Sequence, residues 1–223
     1  MNKTLMMVGA HHDDNELMAG TIARHVAAGW RVVSVVATGS ENRDNSPVRE
    51  AESLAAAKLL QMETVFLRYP DDGFNDDEPA CQAMVRTMRE YNPDMVITHP
   101  PADYHVDHMA VSRCVLLATQ RCWVGTYDCG GEPCSTVPRL YYSDAWFIPF
   151  KPDVYVPVGD RLELKKQALE YHQSQLPERG DDDMVAMEMI RARYRGIEAA
   201  VGYAEAFRFV PRGWQRRVAE LLE

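Results

Sequence analysis

Apolar residues fall into two kinds of run along this chain, and the two alternate. Residues 4–9, 31–38 (RVVSVVAT), 64–69 and 94–99 (DMVITH) are short and nearly continuous in apolar character, as strands buried on both faces are. Between and after them, residues 16–29, 47–60, 77–91 and 106–121 are longer mixed segments that read as helices. Pro47 suits a first helical turn, where a missing N–H removes no intrahelical bond. After Arg121 the rhythm loosens. Residues 122–139, with their Gly and Pro, read as a loop. Residues 140–145 and 153–158 read as strands, and 161–173 and 183–202 as helices. Residues 207–210 are expected to form a last edge strand and 214–222 a closing helix.

Strand–helix alternation of this kind predicts a parallel sheet with both faces covered. The expected fold is α/β, a Rossmann-like three-layer αβα sandwich with a mostly parallel central sheet. At 223 residues one domain spanning 1–223 is expected.

Composition narrows the function classes. The formal net charge of -9 repels nucleic-acid phosphates and anionic membranes. No apolar run approaches the ~20 residues that cross a bilayer, and no signal peptide is read at the start. A cytoplasmic protein is expected. The five cysteines are an odd number with no Cys-x2-Cys pair, so Cys122, Cys129 and Cys134 read as free thiols rather than a zinc knuckle.

The chemistry is concentrated in two segments. Gly9-Ala10-His11-His12-Asp13-Asp14-Asn15-Glu16 follows the first strand, and His99-Pro100-Pro101-Ala102-Asp103-Tyr104-His105-Val106-Asp107-His108 follows the fourth. They hold five of the seven histidines, with Asp13, Asp14, Asp103 and Asp107 beside them. A solvated surface has no reason to gather imidazole in this way, although a single Asp such as Asp13 or Asp14 is often only a helix cap. In open α/β sheets ligands sit beyond the carboxyl ends of the strands where strand order reverses. In the common order the first and fourth strands flank that point. His11, Asp14 and His108 offer two imidazoles and a carboxylate, a donor set suited to catalytic zinc. Asp13 is placed to take a proton from the attacking water. His105 could stabilise a developing oxyanion, with Asp107 fixing its tautomer. His25, inside a helix, reads as structural. Residues 38–43 could form another pocket wall, and the acidic runs 76–78 and 181–183 read as solvated surface.

These motifs resemble the LmbE/PIG-L type zinc deacetylases. The family's Ala-His-Pro-Asp-Asp-x-Glu signature is similar to Ala10–Glu16, followed here by Gly20-Thr21-Ile22, and its His-x-Asp-His signature to His105–His108. Arg49-Glu50-Ala51-Glu52, Tyr69-Pro70-Asp71-Asp72-Gly73 and Ala204-Glu205-Ala206-Phe207 extend the likeness over nearly the whole chain. The resemblance implies one zinc per chain on His11, Asp14 and His108, and Asp13 as general base. It implies that His105 stabilises the intermediate or protonates the amine, and that Asp107 orients His105. Arg49 and Asp71 would touch sugar hydroxyls at the rim. His12 stands where the family has Pro and could compete with His11 or sit in the pocket wall; register with Asp14 favours His11. The implied activity is removal of the N-acetyl group from an acetamido sugar of the N-acetylglucosamine type. The partners expected are that small molecule and, at most, further copies of the chain in a homo-oligomer. Another metal-dependent hydrolysis, such as phosphoester cleavage, and a sugar-binding module that keeps the fold are the rival readings.

Overall fold

The computed structural model describes residues 3–39, 46–176 and 184–211. In chain order the elements are β1 (Thr4–Gly9), α1 (Ala19–Ala27), β2 (Arg31–Thr38), α2 (Ser46–Leu60), β3 (Glu63–Tyr69), α3 (Glu78–Tyr91), β4 (Met95–Thr98) and α4 (Val106–Arg121). There follow β5 (Arg139–Ser143), β6 (Val154–Pro157), α5 (Leu162–Glu170), α6 (Met184–Glu198) and β7 (Ala204–Phe209). The expected closing helix at 214–222 lies outside the described residues, as do most of 38–43 and the acidic run 181–183.

The strands form one seven-stranded sheet in the order β3-β2-β1-β4-β5-β7-β6. The pairs among β3, β2, β1, β4 and β5 are parallel, and β7 runs antiparallel to both β5 and β6. The sheet is thus mostly parallel, as expected. One expectation fails: residues 207–210 do not form the edge. β7 lies between β5 and β6, and β6 is the edge strand.

Side chains alternate across a strand, and β1 shows what that does here. Met6 and Val8 join Val33 and Val35 on one face, packed against Met84, Val85 and Met88 of α3 and Val111 and Val115 of α4. Leu5 and Met7 face the other way, among Ile22 of α1, Ala57 and Leu60 of α2 and Ala168 of α5. All of these are buried. Each such Val, Leu, Ile or Met side chain contributes about 1.5–3 kcal/mol relative to exposure. A sheet with a core on each face and helices beyond both is the three-layer α/β arrangement.

β1 pairs with β2 on one side and β4 on the other, with Leu5 opposite Met95 and Val8 opposite Thr98. Strand order reverses between β1 and β4, so the loops leaving their carboxyl ends face each other across a crevice. The histidine and aspartate cluster described next is built from those loops and from the turn after β3.

Candidate active site

The loop after β1 is folded by its own backbone. At Gly9 an added Cβ would lie 2.8 Å from Asp14 Cβ, so the chain turns back tightly only because Gly9 has none. Asp14 Oδ2 accepts from the His11 amide at 2.6 Å. Ala10 is pinned on both sides: its carbonyl accepts from the Thr38 amide and hydroxyl, each at 2.8 Å, and its amide donates to His99 Nε2 at 2.9 Å. Asp14 precedes a short 3-10 turn, Asn15–Met18, but its side chain makes no cap bond there. Its carboxylate turns into the crevice instead. Across the crevice, His105 caps α4: its Nδ1 accepts from the Asp107 amide at 3.2 Å. This places His108 in the first turn.

The predicted donors converge. His11 Nδ1 lies 3.1 Å from His108 Nε2, His11 Nδ1 lies 3.5 Å from Asp14 Oδ2, and His108 Nε2 lies 3.4 Å from Asp14 Oδ1. Zinc bonds of about 2.0–2.1 Å in a tetrahedron put neighbouring donors about 3.3–3.4 Å apart; the His11–His108 separation is near that, and Asp14 turns one oxygen toward each ring. The outward nitrogens strengthen the fit. His11 Nε2 is met by Asp71 Oδ1 at 3.1 Å and Asp107 Oδ2 at 3.3 Å, and His108 Nδ1 by Asp103 Oδ1 at 3.1 Å. A carboxylate behind each imidazole leaves the inward nitrogen to present a lone pair, the usual arrangement behind a metal-bound histidine.

Electrostatics show that this cluster seeks positive charge. Burial opposes charge on His11, yet Asp107, Asp14 and Asp71 outweigh it and push the imidazole up to about 12. Burial likewise opposes ionisation of Asp14, and His108, His99 and His11 more than offset it, holding the carboxyl well below its usual range. A divalent cation would satisfy the same carboxylates.

His12 does not join the site. It is buried, with its ring 5.5 Å from that of Phe66, and burial with the nearby Arg49 guanidinium pushes its pKa down to about 4. It is a neutral side chain packed behind the loop.

Two roles change. Asp107 was expected to orient the His105 ring. Its carboxylate instead accepts from the amides of Asp72 (2.8 Å) and Phe74 (3.1 Å) and faces His11 Nε2. His105 receives only the Asp107 backbone N–H, because capping α4 points the Asp107 side chain toward the turn after β3. The carboxylate near His105 Nε2 is Asp72 Oδ1, at 3.5 Å. Asp71 was expected at the rim against sugar hydroxyls. Its side chain is only 5% exposed and is drawn inward to His11 Nε2 and the Thr38 hydroxyl (3.3 Å). A bulge in β3 opposite β2 precedes this turn, with Arg68 at a φ of 56°.

Asp13, Arg49 and His105 all line the same cleft as the donor cluster. Arg49 Nη2 donates to Asp13 Oδ1 at 3.1 Å, so the guanidinium holds the carboxylate rather than standing free. Burial and the neighbouring His11 and His108 keep His105 below its ordinary pKa. With Nδ1 accepting, its proton sits on Nε2.

The cleft has further walls that sequence reasoning missed. His99 stacks on His108 with centroids 3.9 Å apart, and its Nε2 lies 3.2 Å from Asp14 Oδ2. That nitrogen already accepts from Ala10, so His99 braces the loop. Asp103 stood in the motif without a role, and its position in a histidine-rich segment was the available signal. Tyr104, Trp146 and Arg191 also line the cleft, and Trp146 and Arg191 come from parts of the sequence with no motif. Elsewhere His25 Nδ1 bonds its own helix at Thr21 O (2.8 Å), as expected of a structural residue, and none of the five cysteines is in a disulfide. Among the described residues no helix is long and apolar enough to cross a membrane.

Comparison with known proteins places these features in company. Residues 6–119 match the PIG-L family, described as GlcNAc-PI de-N-acetylase. The chain is 28% identical over 184 residues to YaiS, an uncharacterized deacetylase of Escherichia coli (strain K12), covering 77% of this chain and 91% of that protein. It is 23% identical over 223 residues to the diacetylchitobiose deacetylase of Thermococcus kodakarensis, covering 94% and 84%. Among solved structures, the conserved protein TT1542 from Thermus thermophilus aligns with a TM-score of 0.83 at 28% identity, over 96% of this chain and 99% of that one.

Proposed function

This chain belongs to the PIG-L family, and from that membership we propose that it is a zinc-dependent N-deacetylase. Its substrate would be an acetamido sugar, hydrolysed to acetate and a free amine. The observation that carries the reading is the three-sided donor cluster of His11, Asp14 and His108, with Asp13 and His105 lining the same cleft. A zinc ion held by those three residues would supply Lewis acidity to the acetyl carbonyl and acidify a water.

The remaining work falls to the chain itself. Asp13, steadied by Arg49, takes the proton of the water that attacks the carbonyl carbon. His105 donates from Nε2 to the carbonyl oxygen as negative charge develops there. What supports this role is the hydrogen bond that His105 Nδ1 accepts from the Asp107 amide, which leaves Nε2 as the nitrogen that donates. Asp13 then returns its proton to the nitrogen as the C–N bond breaks, and both products leave with their atoms accounted for. Asp71 and Asp107 hold His11 in the orientation this requires, and Asp103 holds His108.

The test is acetate release from a panel of N-acetylated mono- and disaccharides and glycosides, before and after chelation and with zinc returned. Release that chelation abolishes and zinc restores is expected. Folded, zinc-loaded protein that frees no acetate from any member would overturn the proposal.

A further inference from the structure

The two helices on one face of the sheet, α3 and α4, carry a pair of thiols. Cys81 lies one turn into α3 and Cys114 near the middle of α4, and the two side chains hydrogen-bond one another. Both are buried in the core of that face. The hydrolysis described above uses neither.

What surrounds the Cys81 sulfur sets it apart. Arg121 Nη1 donates to Cys81 Sγ at 3.3 Å, and the same guanidinium nitrogen reaches Glu78 Oε2 at 2.9 Å and the Tyr127 hydroxyl at 3.3 Å. Three other thiols point at acceptors instead. Cys122 Sγ faces Thr119 O at 3.7 Å, Cys129 Sγ faces Gly130 O at 3.6 Å and Cys134 Sγ faces Met88 O at 3.3 Å. Cys122 and Cys134 form a second close pair, but the Arg89 guanidinium beside them is directed at backbone carbonyls, those of Cys122 and Val124 among them. A sulfur that accepts from a guanidinium is favoured as thiolate, and one that donates to a carbonyl keeps its proton. The Cys81–Cys114 pair is unequal in the same sense. The bond from Cys114 and the charge of Arg121 outweigh burial and lower the Cys81 pKa, while the Cys81 sulfur and burial raise that of Cys114.

The Cys81 sulfur is buried, yet the Arg121 side chain lying against it is 34% exposed. Exposed side chains change rotamer within about a nanosecond, so a molecule as small as hydrogen peroxide reaches the sulfur when Arg121 swings away. The joint also bears on the site. α3 follows the turn whose Asp72 and Phe74 amides hold Asp107, and α4 begins at the His105 cap. Cys114 stands about 9 Å along α4 from His108 at the usual rise per residue.

We propose that Cys81 and Cys114 form an oxidant-responsive site, at which a hydroperoxide converts the two thiols to a disulfide that fastens α3 to α4. The Cys81 thiolate attacks one oxygen of the peroxide. The O–O bond breaks, and the departing hydroxide leaves as water with the proton that Cys81 shed. The sulfur of Cys114 then attacks the Cys81 sulfenic acid. The S–S bond forms, the S–O bond breaks, and the hydroxyl leaves as a second water with the Cys114 proton. Two thiols are oxidised and one peroxide is reduced, and a dithiol reductant reverses the change.

The experiment treats wild type, Cys114→Ala and Arg121→Gln with hydrogen peroxide, alkylates the remaining thiols after unfolding, and maps the peptides by mass spectrometry with and without dithiothreitol. In wild type a Cys81–Cys114 cross-linked peptide appears and dithiothreitol removes it. Cys81 is consumed about ten-fold faster than Cys129, as a one-decade gain in thiolate fraction gives. In Cys114→Ala no cross-link forms, and dimedone captures a sulfenic acid at Cys81. Arg121→Gln, a change to a surface side chain, narrows the lead of Cys81 over Cys129. The proposal is overturned if wild type keeps Cys81 and Cys114 alkylatable, or if the cross-link joins Cys122 to Cys134 instead. A Cys81 lead that is absent in wild type or unchanged in Arg121→Gln also overturns it.

Discussion

His11 and His108 are each gripped from behind by carboxylates, and that grip decides what single substitutions do. His108→Ala removes one of three donors at the centre of the cluster, so zinc content by elemental analysis falls from about one per chain toward zero. Full metal occupancy in that variant would refute the ligand assignment. Asp103→Asn keeps the donors but weakens the partner of His108 Nδ1. Partners of this kind are worth about 10–100-fold in metal affinity, a loss that competition with a chromophoric chelator reads directly. His12, one residue from the proposed ligand His11, stands apart. His12→Ala is expected to keep its zinc and to lose about 1–3 kcal/mol of stability from an emptied core position. Loss of zinc with the fold intact would show that the ring turns toward the metal.

Between elements, the parallel half was legible in the sequence because its strands are buried on both faces and its helices recur at a regular interval. The meeting of β1 and β4 followed from the same pattern. The far side of the sheet was not legible. Apolar periodicity reports which faces are buried, and it is silent on which strand lies beside which, so the insertion of β7 between β5 and β6 left no local mark. The same limit applies within the site. That His11, Asp14 and His108 meet was readable because residue type and motif single them out on the loops after β1 and β4. The partners of Asp107 and Asp71 depend on where side chains point after α4 is capped and β3 bulges, and no spacing encodes that.

What ties the far side together is charge buried between α5, α6 and β7. Lys165 meets Glu205 (2.8 Å) and Glu188 (2.9 Å), and Glu205 accepts from the first amides of α1, at Gly20 and Thr21. A Cβ at Gly20 would come within 2.5 Å of Val158, which explains the glycine in the first turn of α1 at that contact. Burial opposes the charge on Glu188, but Arg191 and Lys165 prevail and lower its pKa below the ordinary 4.5. A lowered carboxylate stabilises the fold above its unfolded pKa and ceases to do so as pH falls through the folded one. Glu188→Gln strands Arg191 and half of the Lys165 pairing, and breaking a buried pair costs about 3–5 kcal/mol. Denaturant melts at pH 7 should show that deficit, and the gap to wild type should shrink as pH drops below 4.5. A gap that stays constant down to acid pH would mean that Glu188 contributes shape rather than charge.

At the scale of the whole molecule, strand order reverses once among the parallel strands, between β1 and β4, and the donor cluster sits where it does. The loops after β1 and β4 bring the donors, the turn after β3 brings carboxylates behind His11, and the loop after β5 brings Trp146 of the cleft wall. The central claim is that this convergence separates two tasks: three residues hold a metal, and Asp13, adjacent to one of them, moves a proton. The most direct measurement is zinc content together with kcat and substrate Kd in Asp13→Ala. The account predicts about one zinc per chain, a near-normal Kd, and kcat lower by about 10²–10⁴-fold, the usual worth of a general base. Loss of zinc in that variant would make Asp13 a ligand, and near-normal kcat would leave the proposed hydrolysis without its base. Either result contradicts the account.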